Sequence, residues 1–231
     1  MNSTIEILNE VTHRDLKINF VEAKSVSLKE RFLPVVISEF HSLMFHYPII
    51  FVKDKETGEF ACSVLLGINS TSNLLDDKDL TNNDVLPLNI RRLPLIAVAP
   101  PADDNAARPL IADNMSSPGV GQGEHFLKNK SEAFESAISA LVELYDGHKE
   151  TRSYIKKIVE LDLISKLNVE IRYPDKPNLT LEGLYGIDTN KIAHVIESNA
   201  ASKDLFLEIA SYVYAQNFSL YNMKKLAPIS S

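Results

Sequence analysis

The sequence has very little cysteine: Cys62 is the one example in 231 residues. One thiol cannot form an internal disulfide, and its place in an apolar run predicts a buried, inert group. No apolar run approaches the roughly 20 residues that a membrane-spanning helix requires. The N-terminus also lacks the basic start and apolar core of a secretory signal peptide. Together these absences predict a soluble, cytoplasmic chain that does not span a membrane.

An excess of positive charge is missing as well, because 24 Lys and Arg face 31 Asp and Glu, for a net charge of −7. A general nucleic-acid or anionic-membrane binder needs a clustered positive surface, so the composition argues against both classes. A local basic pocket stays compatible with this charge. The apolar and charged fractions, 45% and 24%, are typical of a globular chain. The length predicts a single domain over residues 1–231, with residues 1–14 as a loosely ordered lead-in.

The longest stretch rich in apolar residues lies between Pro34 and Gly67. Pro34 suits the first turn of a helix, and apolar residues then recur at helical spacing. Pro48 predicts the end of this helix near His46 or Tyr47, since a residue before proline avoids the α region. The runs 49–52 and 60–68 flank a polar turn and predict an antiparallel hairpin. Because both runs are apolar at nearly every position, we expect strands that are covered on both faces.

Outside this unit, the sequence predicts shorter strands first and helices later. A last helix should run from a Ser202 cap to about Leu226, after a short helix capped by Asp188 or Thr189. Gly147 is interpreted as the stop between two further helices. The strands are predicted at 16–20, 93–99, 110–112, 168–172 and 179–186, and the two further helices at 131–145 and 151–167. This order predicts an α+β fold with a mostly antiparallel sheet, built around the helix–hairpin unit and covered by C-terminal helices.

Five segments, taken in their order and spacing, resemble the bacterial SapC-like family. They are EFHSLMFHYPIIF (39–51), LLGINSTSNLL (65–75), RRLPL (91–95), GLYGIDTNKI (183–192) and YAQNFSLYNMKKLA (214–227). The chain departs from the family pattern at Leu93, where an aromatic residue is common, and residues 100–125 match weakly. The resemblance is to a family named from surface-layer loci, not to the membrane permease of the same name. Some members resemble products of gene neighbourhoods that include flavin-dependent halogenase-like proteins and outer-membrane receptors. The resemblance implies no established reaction, cofactor or catalytic residue.

Two candidate groups of site residues emerge. On the predicted helix, Glu39 and His46 lie seven residues apart and would share one line, as an acid–base pair or metal ligands. The alternative is a polar flank in which Glu39 binds a neighbouring backbone group or an arginine. Arg91 and Arg92 offer guanidinium groups that can bind a carboxylate or phosphate through bidentate hydrogen bonds. The alternatives for them are ion pairs with the acidic loop 69–84 or with Glu39. With Asn73, these residues form the candidate ligand site; no metal site is predicted.

Three functional interpretations follow. The favoured one is a non-catalytic accessory or binding protein, linked to envelope or surface-layer biogenesis or to a partner enzyme. The second is an uncharacterised enzyme or small-ligand binder with a pocket around Glu39, His46, Asn73 and Arg92. The third is a structural subunit of an oligomer. The expected partners are another protein or a second copy, with a small anionic ligand as an alternative; no cofactor is predicted. Tyr212, Tyr214 and Tyr221 on the last helix are either core residues or a partner-facing stripe.

Overall fold

The computed structural model describes residues 5–9, 11–69, 72–98, 110–125, 131–172 and 177–226. It confirms the α+β class. The strands, in chain order, are β1 (Ile5–Ile7), β2 (Lys17–Ile18), β3 (Phe32–Pro34), β4 (Ile49–Lys53), β5 (Phe60–Leu65), β6 (Gly67–Asn69), β7 (Ser72–Asn73), β8 (Leu95–Val98), β9 (Leu110–Asn114), β10 (Glu124–His125), β11 (Ile164–Lys166), β12 (Val169–Ile171), β13 (Leu179–Leu181) and β14 (Leu184–Ile187).

Six α-helices and four 3₁₀ segments complete the described elements. The α-helices are α1 (Phe20–Lys24), α2 (Phe40–Leu43), α3 (Leu88–Arg91), α4 (Glu132–Glu160), α5 (Thr189–Ser198) and α6 (Ala200–Ser219). The 3₁₀ segments are Ser25–Lys29, Ile37–Glu39, Asp79–Thr81 and Leu220–Leu226. Among the described helices, none combines the length with the apolar character that crossing a bilayer requires.

The chain divides into two compact units. Unit 1 contains residues 1–28 and 75–146, and unit 2 contains residues 29–74 and 147–231. The boundary at 146/147 falls inside helix α4, so each unit includes one part of that helix. The assignment of residues 1–231 to one domain stays a prediction. Within the predicted lead-in, strand β1 pairs with β9.

Unit 2 is built on a five-stranded sheet with the order β11-β14-β4-β5-β3, in which every pairing is antiparallel. The predicted hairpin is confirmed as β4 and β5, with Ile49 opposite Val64 and Lys53 opposite Phe60. Ile49, Ile50 and Phe51 are fully buried. Helix α6 contacts both β4 and β14. The hairpin strands are thus central to the sheet, as their continuous apolar sequence predicts.

The turn of this hairpin is organised by Asp54. Its carboxylate accepts hydrogen bonds from the backbone N–H of Glu56 and Thr57 and from the Thr57 hydroxyl, at 2.7–2.9 Å. These bonds stabilise the charged form and lower the pKa of Asp54. Gly58 has a φ of +72°, which favours glycine there. Local turn chemistry therefore fixes the register of the central strands.

The prediction of a long helix beginning at Pro34 is wrong. Pro34 ends strand β3, opposite Ser63, and the next residue, Val35, donates its N–H to the Cys62 carbonyl at 3.1 Å. Only the 3₁₀ segment Ile37–Glu39 and the single turn α2 are helical. Pairing with β5 keeps residues 32–36 extended, and this tertiary contact overrides the helical spacing of the apolar residues.

Gly147 does not stop a helix, which corrects the second prediction of this kind. Helix α4 passes through it without a break to Glu160. A Cβ atom placed on Gly147 would lie 2.8 Å from Cγ2 of Val36. One turn later, Thr151 Oγ1 donates to the Gly147 carbonyl and accepts from the Ile37 N–H at 3.0 Å. The glycine therefore allows the 36–37 backbone to approach the helix.

Three further boundaries differ from the predicted ones. The predicted helix 151–167 ends at Glu160, and residues 164–166 form strand β11 instead. Asn199 rather than Ser202 caps α6, and its side chain accepts the Ser202 N–H at 2.8 Å. The predicted strand 16–20 is limited to β2, because Asn19 caps helix α1. The Asp188 cap of α5 is confirmed, with its side chain accepting from Asn190 N.

Unit 1 has a smaller set of strands and its own apolar cluster. Its sheet has the order β1-β9-β8, and β2 pairs separately with β10. Strand β8 confirms the strand that was predicted over 93–99. The cluster consists of buried residues from β2, α1, β8 and α4: Ile18, Phe20, Leu95 and Ala137.

The close approach of Gly147 and Val36 predicts how a substitution at Gly147 changes the free energy of unfolding. Helix propensity alone would make Gly147→Ala stabilising by about 1 kcal/mol. Forcing a methyl group into the Val36 side chain costs about 1–3 kcal/mol. The difference between these two effects predicts that Gly147→Ala lowers the free energy of unfolding by up to about 2 kcal/mol, as measured by urea denaturation.

The matched control is the same substitution in a Val36→Gly background, which lacks the β carbon and both γ carbons that lie 2.8–3.3 Å from the added methyl group. There Gly147→Ala should no longer be destabilising. A stabilising effect of Gly147→Ala in the wild-type background would contradict the role assigned to this close approach.

Candidate functional site

Glu39, the first predicted site residue, is buried at the end of the 3₁₀ segment Ile37–Glu39. Its Oε2 atom accepts the backbone N–H of Val36 at 2.9 Å. This bond satisfies one of the N–H groups that a helical segment leaves unpaired at its start. The observed contact is the backbone alternative considered for Glu39, and it gives the carboxylate a role in holding the chain reversal after β3.

His46 does not share a helical line with Glu39, because α2 ends at Leu43. The turn that follows places His46 directly before Tyr47 and Pro48, and its ring centroid lies 6.1 Å from that of Tyr47. Its backbone carbonyl accepts from Lys225 Nζ at 3.5 Å. The helical geometry that suggested an acid–base pair is therefore absent, since four helical residues cannot span the seven-residue spacing.

Asn73 lies in the short strand β7, which pairs with β6. Its Nδ2 atom donates to the backbone carbonyl of Glu30 at 3.0 Å. This side chain therefore joins two segments of unit 2 that are 43 residues apart in sequence. That contact is structural, and Asn73 has further interactions besides it.

Arg91 and Arg92 belong to unit 1, at the end of α3. Arg92 donates from Nε to Asn89 Oδ1 and from Nη1 to the Leu95 carbonyl, both at 2.8 Å. Burial lowers the pKa of Arg92. The guanidinium of Arg92 is thus engaged with the Asn89 side chain and the Leu95 backbone. Within the described residues, the buried Nε of Arg91 has no hydrogen-bond partner.

Lys24 is a buried cation of unit 1 that the sequence analysis did not single out. Its Nζ donates to the Leu80 carbonyl at 3.4 Å and to Asn83 Oδ1 at 3.3 Å. Burial, and secondarily the charge of Arg91, lower the pKa of Lys24. Its position late in α1 gave no signal, because a lysine in the last turn of a helix is ordinarily exposed.

The five predicted residues are distributed over the two units. Glu39, His46 and Asn73 lie in unit 2, while Arg91 and Arg92 lie in unit 1. The candidate pocket and the Glu39–arginine ion pair stay predictions. Across the described segments, no three His, Cys, Asp or Glu side chains gather as metal ligands would. The thiol of Cys62 is buried, and burial raises its pKa, which disfavours the nucleophilic thiolate.

Three buried polar side chains, two from α6 and one from the 3₁₀ segment that follows it, bind the backbone that leads into the central strand. Ser219 Oγ accepts the Ile49 N–H at 2.8 Å, and Gln216 Nε2 donates to the Ile49 carbonyl at 2.8 Å. Asn222 Nδ2 donates to the Met44 carbonyl at 2.7 Å. We call these three residues the polar clamp. It joins the segments 39–51 and 214–227, which are two of the five that resemble the SapC-like family.

Gln216 also extends the sheet. The register of β14 and β4 pairs Leu184 with Val52 and Tyr185 with Phe51, so its continuation places Ile187 opposite Ile49. Gln216 Oε1 accepts the Ile187 N–H at 3.4 Å while its amide group donates to Ile49. The side-chain amide thus bridges the two strands where their ladder ends. Polar residues at every third position, 216, 219 and 222, within the uncharged stretch 209–223 were the signal that sequence reasoning missed.

The other side of the same helix exposes large aromatic residues. Tyr214 is 56% exposed, Phe218 58% and Tyr221 70%, and Phe45 of the turn after α2 is 55% exposed. The rings of Phe45 and Phe218 meet edge to face, with centroids 6.1 Å apart. Residues 214, 218 and 221 follow helical spacing and lie along one face. We call these four residues the aromatic surface; their exposed area is on the order of 400–600 Å².

Two lysines border the aromatic surface at one end. Lys224 Nζ lies 3.5 Å from the centroid of the Tyr221 ring, and Lys225 Nζ donates to the Phe45 carbonyl at 3.0 Å. The chain carries no Asp, Glu, Lys or Arg from Ile209 to Met223. The surface is therefore uncharged along its length and positive at its C-terminal border.

The tyrosines that sequence analysis grouped together separate in the structure. Tyr212 packs inward, with its ring centroid 6.4 Å from that of Phe40 and 5.9 Å from that of Tyr154. Tyr214 and Tyr221 are exposed. The core alternative is therefore correct for Tyr212, while a partner-facing role of Tyr214 and Tyr221 stays a prediction.

The polar clamp yields the second prediction. Ser219→Ala removes the acceptor of the buried Ile49 N–H, and an unpaired buried donor costs about 1–3 kcal/mol. We expect the free energy of unfolding to fall by that amount in urea denaturation. Ser211→Ala, an exposed serine on the same helix, should change it by less than about 0.5 kcal/mol. Equal effects of the two substitutions would contradict the clamp.

The third prediction concerns pH. Since the pKa of Lys24 is lower in the folded state than its ordinary 10.5, the unfolded chain binds this proton more strongly. Between the folded-state pKa and 10.5, stability should therefore rise with pH through this group. Lys24→Met should remove that contribution, so the wild-type curve rises relative to the variant curve towards pH 10.5 in urea denaturation. Parallel curves would show that burial does not penalise this charge.

Comparison with known proteins now gives the family. A family model described as SapC matches residues 8–226, which is nearly the whole chain. No curated protein matches the chain, and no solved structure does. The matched range includes both segments joined by the polar clamp as well as the aromatic surface. The chain belongs to the SapC family.

Proposed function

We propose that the chain is a non-catalytic accessory protein that binds another protein through the aromatic surface. The observation that supports this proposal is the exposure of Phe45, Tyr214, Phe218 and Tyr221 on one side of unit 2. The largest apolar patch on a typical monomer measures about 300–600 Å² and is often functional, so a patch of this extent supports an interaction site. Tyrosine and phenylalanine are also enriched at the centres of protein interfaces.

The aromatic surface is held in place before any partner arrives. The polar clamp fixes the buried side of the same helix to the backbone of Met44 and Ile49. Lys225 holds the Phe45 carbonyl from the other side of the turn. Because little side-chain and backbone freedom is lost on association, a preordered surface binds more tightly than a mobile one.

The border of the surface favours a partner of defined chemistry. Lys224 and Lys225 are the cations at its C-terminal end, and the preceding residues 209–223 carry no charge. A complementary segment would place apolar side chains on the rings and acidic residues beside the two lysines. The favoured occupant is therefore another protein with an apolar segment next to Asp or Glu. A second copy of this chain is the competing occupant.

The biological setting of this proposal comes from the family. The SapC-like resemblance associates its members with surface-layer loci, so we propose an accessory role in envelope or surface-layer biogenesis or beside a partner enzyme. The cytoplasmic location stays a prediction. The second candidate, an enzyme or small-ligand binder around Glu39, His46, Asn73 and Arg92, also stays a prediction, since each of Glu39, Asn73 and Arg92 has a local structural partner.

The experiment uses a photo-reactive amino acid at position 218 of the full chain, in cells that make the protein. The crosslinked protein is identified, produced separately and titrated against the purified chain. Phe218→Asp should weaken that binding by at least about tenfold, because a charge enters the centre of an apolar contact. Tyr145→Asp, which changes an exposed tyrosine of helix α4, should leave the affinity unchanged.

Two results would overturn the proposal. Crosslinks from position 218 to the chain itself, together with a dimer in sedimentation experiments that Phe218→Asp dissociates, would establish a second copy as the occupant. Equal affinities of the wild type and Phe218→Asp would show that the aromatic surface does not bind the crosslinked protein.

A further inference from the structure

A cavity of about 640 Å³ lies within unit 2, between the tip of the β4–β5 hairpin and the second half of helix α4. Small-molecule sites in proteins typically measure about 300–1,000 Å³. The hairpin contributes Lys53, Gly58, Glu59 and Phe60, and the helix contributes Arg152, Ile155, Lys156 and Val159. None of the five predicted site residues and none of the four residues of the aromatic surface lines this cavity.

The helical side of the cavity presents a single face of α4. Residues 152, 155, 156 and 159 are spaced by three or four positions, so their side chains point in one direction. The β-carbons of residues four apart on a helix lie about 5–6 Å from each other. The guanidinium of Arg152 and the ammonium of Lys156 can therefore reach the same small anion.

The charge of the lining is opposite to that of the whole chain. Lys53, Arg152 and Lys156 are three cations against the single carboxylate of Glu59, whereas the chain carries −7. In the part of the chain that the structure describes, neither Arg152 nor Lys156 has an ion-pair or side-chain hydrogen-bond partner. Their charges are therefore available to a ligand.

The rest of the lining is apolar and incompletely covered. Val159 is 49% exposed, although it is an aliphatic residue. Lys53 Nζ lies 5.3 Å from the centroid of the Phe60 ring, and the Phe60 ring contacts Tyr185 edge to face at 5.1 Å. A second hollow of about 250 Å³ shares Phe60 and Val159 and is also lined by Asp162, Ile164, Ser165, Lys166 and Tyr185. The apolar wall of the cavity thus continues through Ile164 and Tyr185 into a hollow that also has polar residues.

We propose that this cavity binds a small amphipathic anion, with a carboxylate or phosphate group on an apolar body. Arg152 would hold two oxygens of the anionic group with its planar fork, and Lys156 would add a second positive charge. The apolar body would cover Phe60 and Val159. The separation of unpaired cations from an uncovered apolar wall matches a molecule with these two ends, whereas a wholly polar anion would leave the wall exposed to water.

The test uses 1-naphthoate and decanoate as probes, with 1-naphthamide as the uncharged counterpart of the first. Binding to the full chain is measured by calorimetry and by shifts of backbone amide signals in NMR spectra. We expect naphthoate to bind at least about tenfold more tightly than naphthamide. Raising the salt concentration should weaken the binding of naphthoate and leave the binding of naphthamide unchanged, because salt screens the partly exposed cations.

Two variants locate the site. The double variant Arg152→Gln, Lys156→Gln should have an affinity for naphthoate about tenfold lower than the wild type, since two exposed charge contacts are lost. Lys29→Gln with Lys203→Gln makes the same change in net charge at exposed lysines outside the lining and should have no effect. Val159→Glu, on an exposed helical position, should abolish binding by placing a carboxylate against the apolar body. Thermal unfolding confirms that each variant is folded.

The proposal is overturned by any of three results. The first is equal affinity for naphthamide and naphthoate, which would make the cavity merely apolar. The second is an equal effect of the two double variants, which would reflect overall charge. The third is no binding of naphthoate or decanoate at millimolar concentration, which would exclude a ligand of this class.

Discussion

Ile49 begins the central strand of unit 2, and both of its backbone polar groups are paired with side chains of the last helix. Ser219 accepts its N–H and Gln216 donates to its carbonyl, both at 2.8 Å. The two partners lie about 170 residues further along the chain, and all three residues are completely buried. In such a site water cannot replace a lost partner, so the geometry of these bonds is strictly constrained. The orientation of the last helix on the sheet depends on them.

The aromatic surface is a consequence of this constraint. Gln216 and Ser219 are buried against the sheet, whereas Tyr214 and Phe218 of α6 and Tyr221 of the following 3₁₀ segment are exposed. Tyr212 instead enters the ring cluster with Phe40 and Tyr154. The buried polar residues Gln216 and Ser219 therefore fix which aromatic residues pack inward and which are exposed. Structural and binding roles occupy opposite sides of one element.

The cavity shows that net charge describes a chain poorly at the scale of one site. An overall charge of −7 coexists with a lining in which cations outnumber carboxylates. Arg152 and Lys156 come from a long helix and Lys53 from a hairpin about 100 residues earlier, so no sequence window contains the cluster. Screening over roughly 8–10 Å in physiological salt makes this local arrangement more relevant to a ligand than the distant acidic residues.

Local chemistry in the sequence was sufficient for the hairpin, the Asp188 cap, the α+β class and the family. Asp54 and Gly58 set a turn between two β-rich runs, and these interactions involve only near neighbours. Pro34 and Gly147 misled because their roles depend on contacts that are distant in sequence. Pro34 is the last residue of a strand and pairs with Ser63, and Gly147 allows the close approach of Val36. The candidate pair Glu39 and His46 depended on the long helix predicted from Pro34. Because that helix does not form, the two residues do not share a helical face.

The sequence by itself determined where apolar strands and turns occur, because backbone preference and turn chemistry act over a few residues. Only the tertiary structure decided which side of the last helix is buried, which glycine is a contact rather than a stop, and which cations share a cavity. Those outcomes depend on side chains that meet across more than 90 positions of sequence, and the spacing of residues within one segment does not encode them.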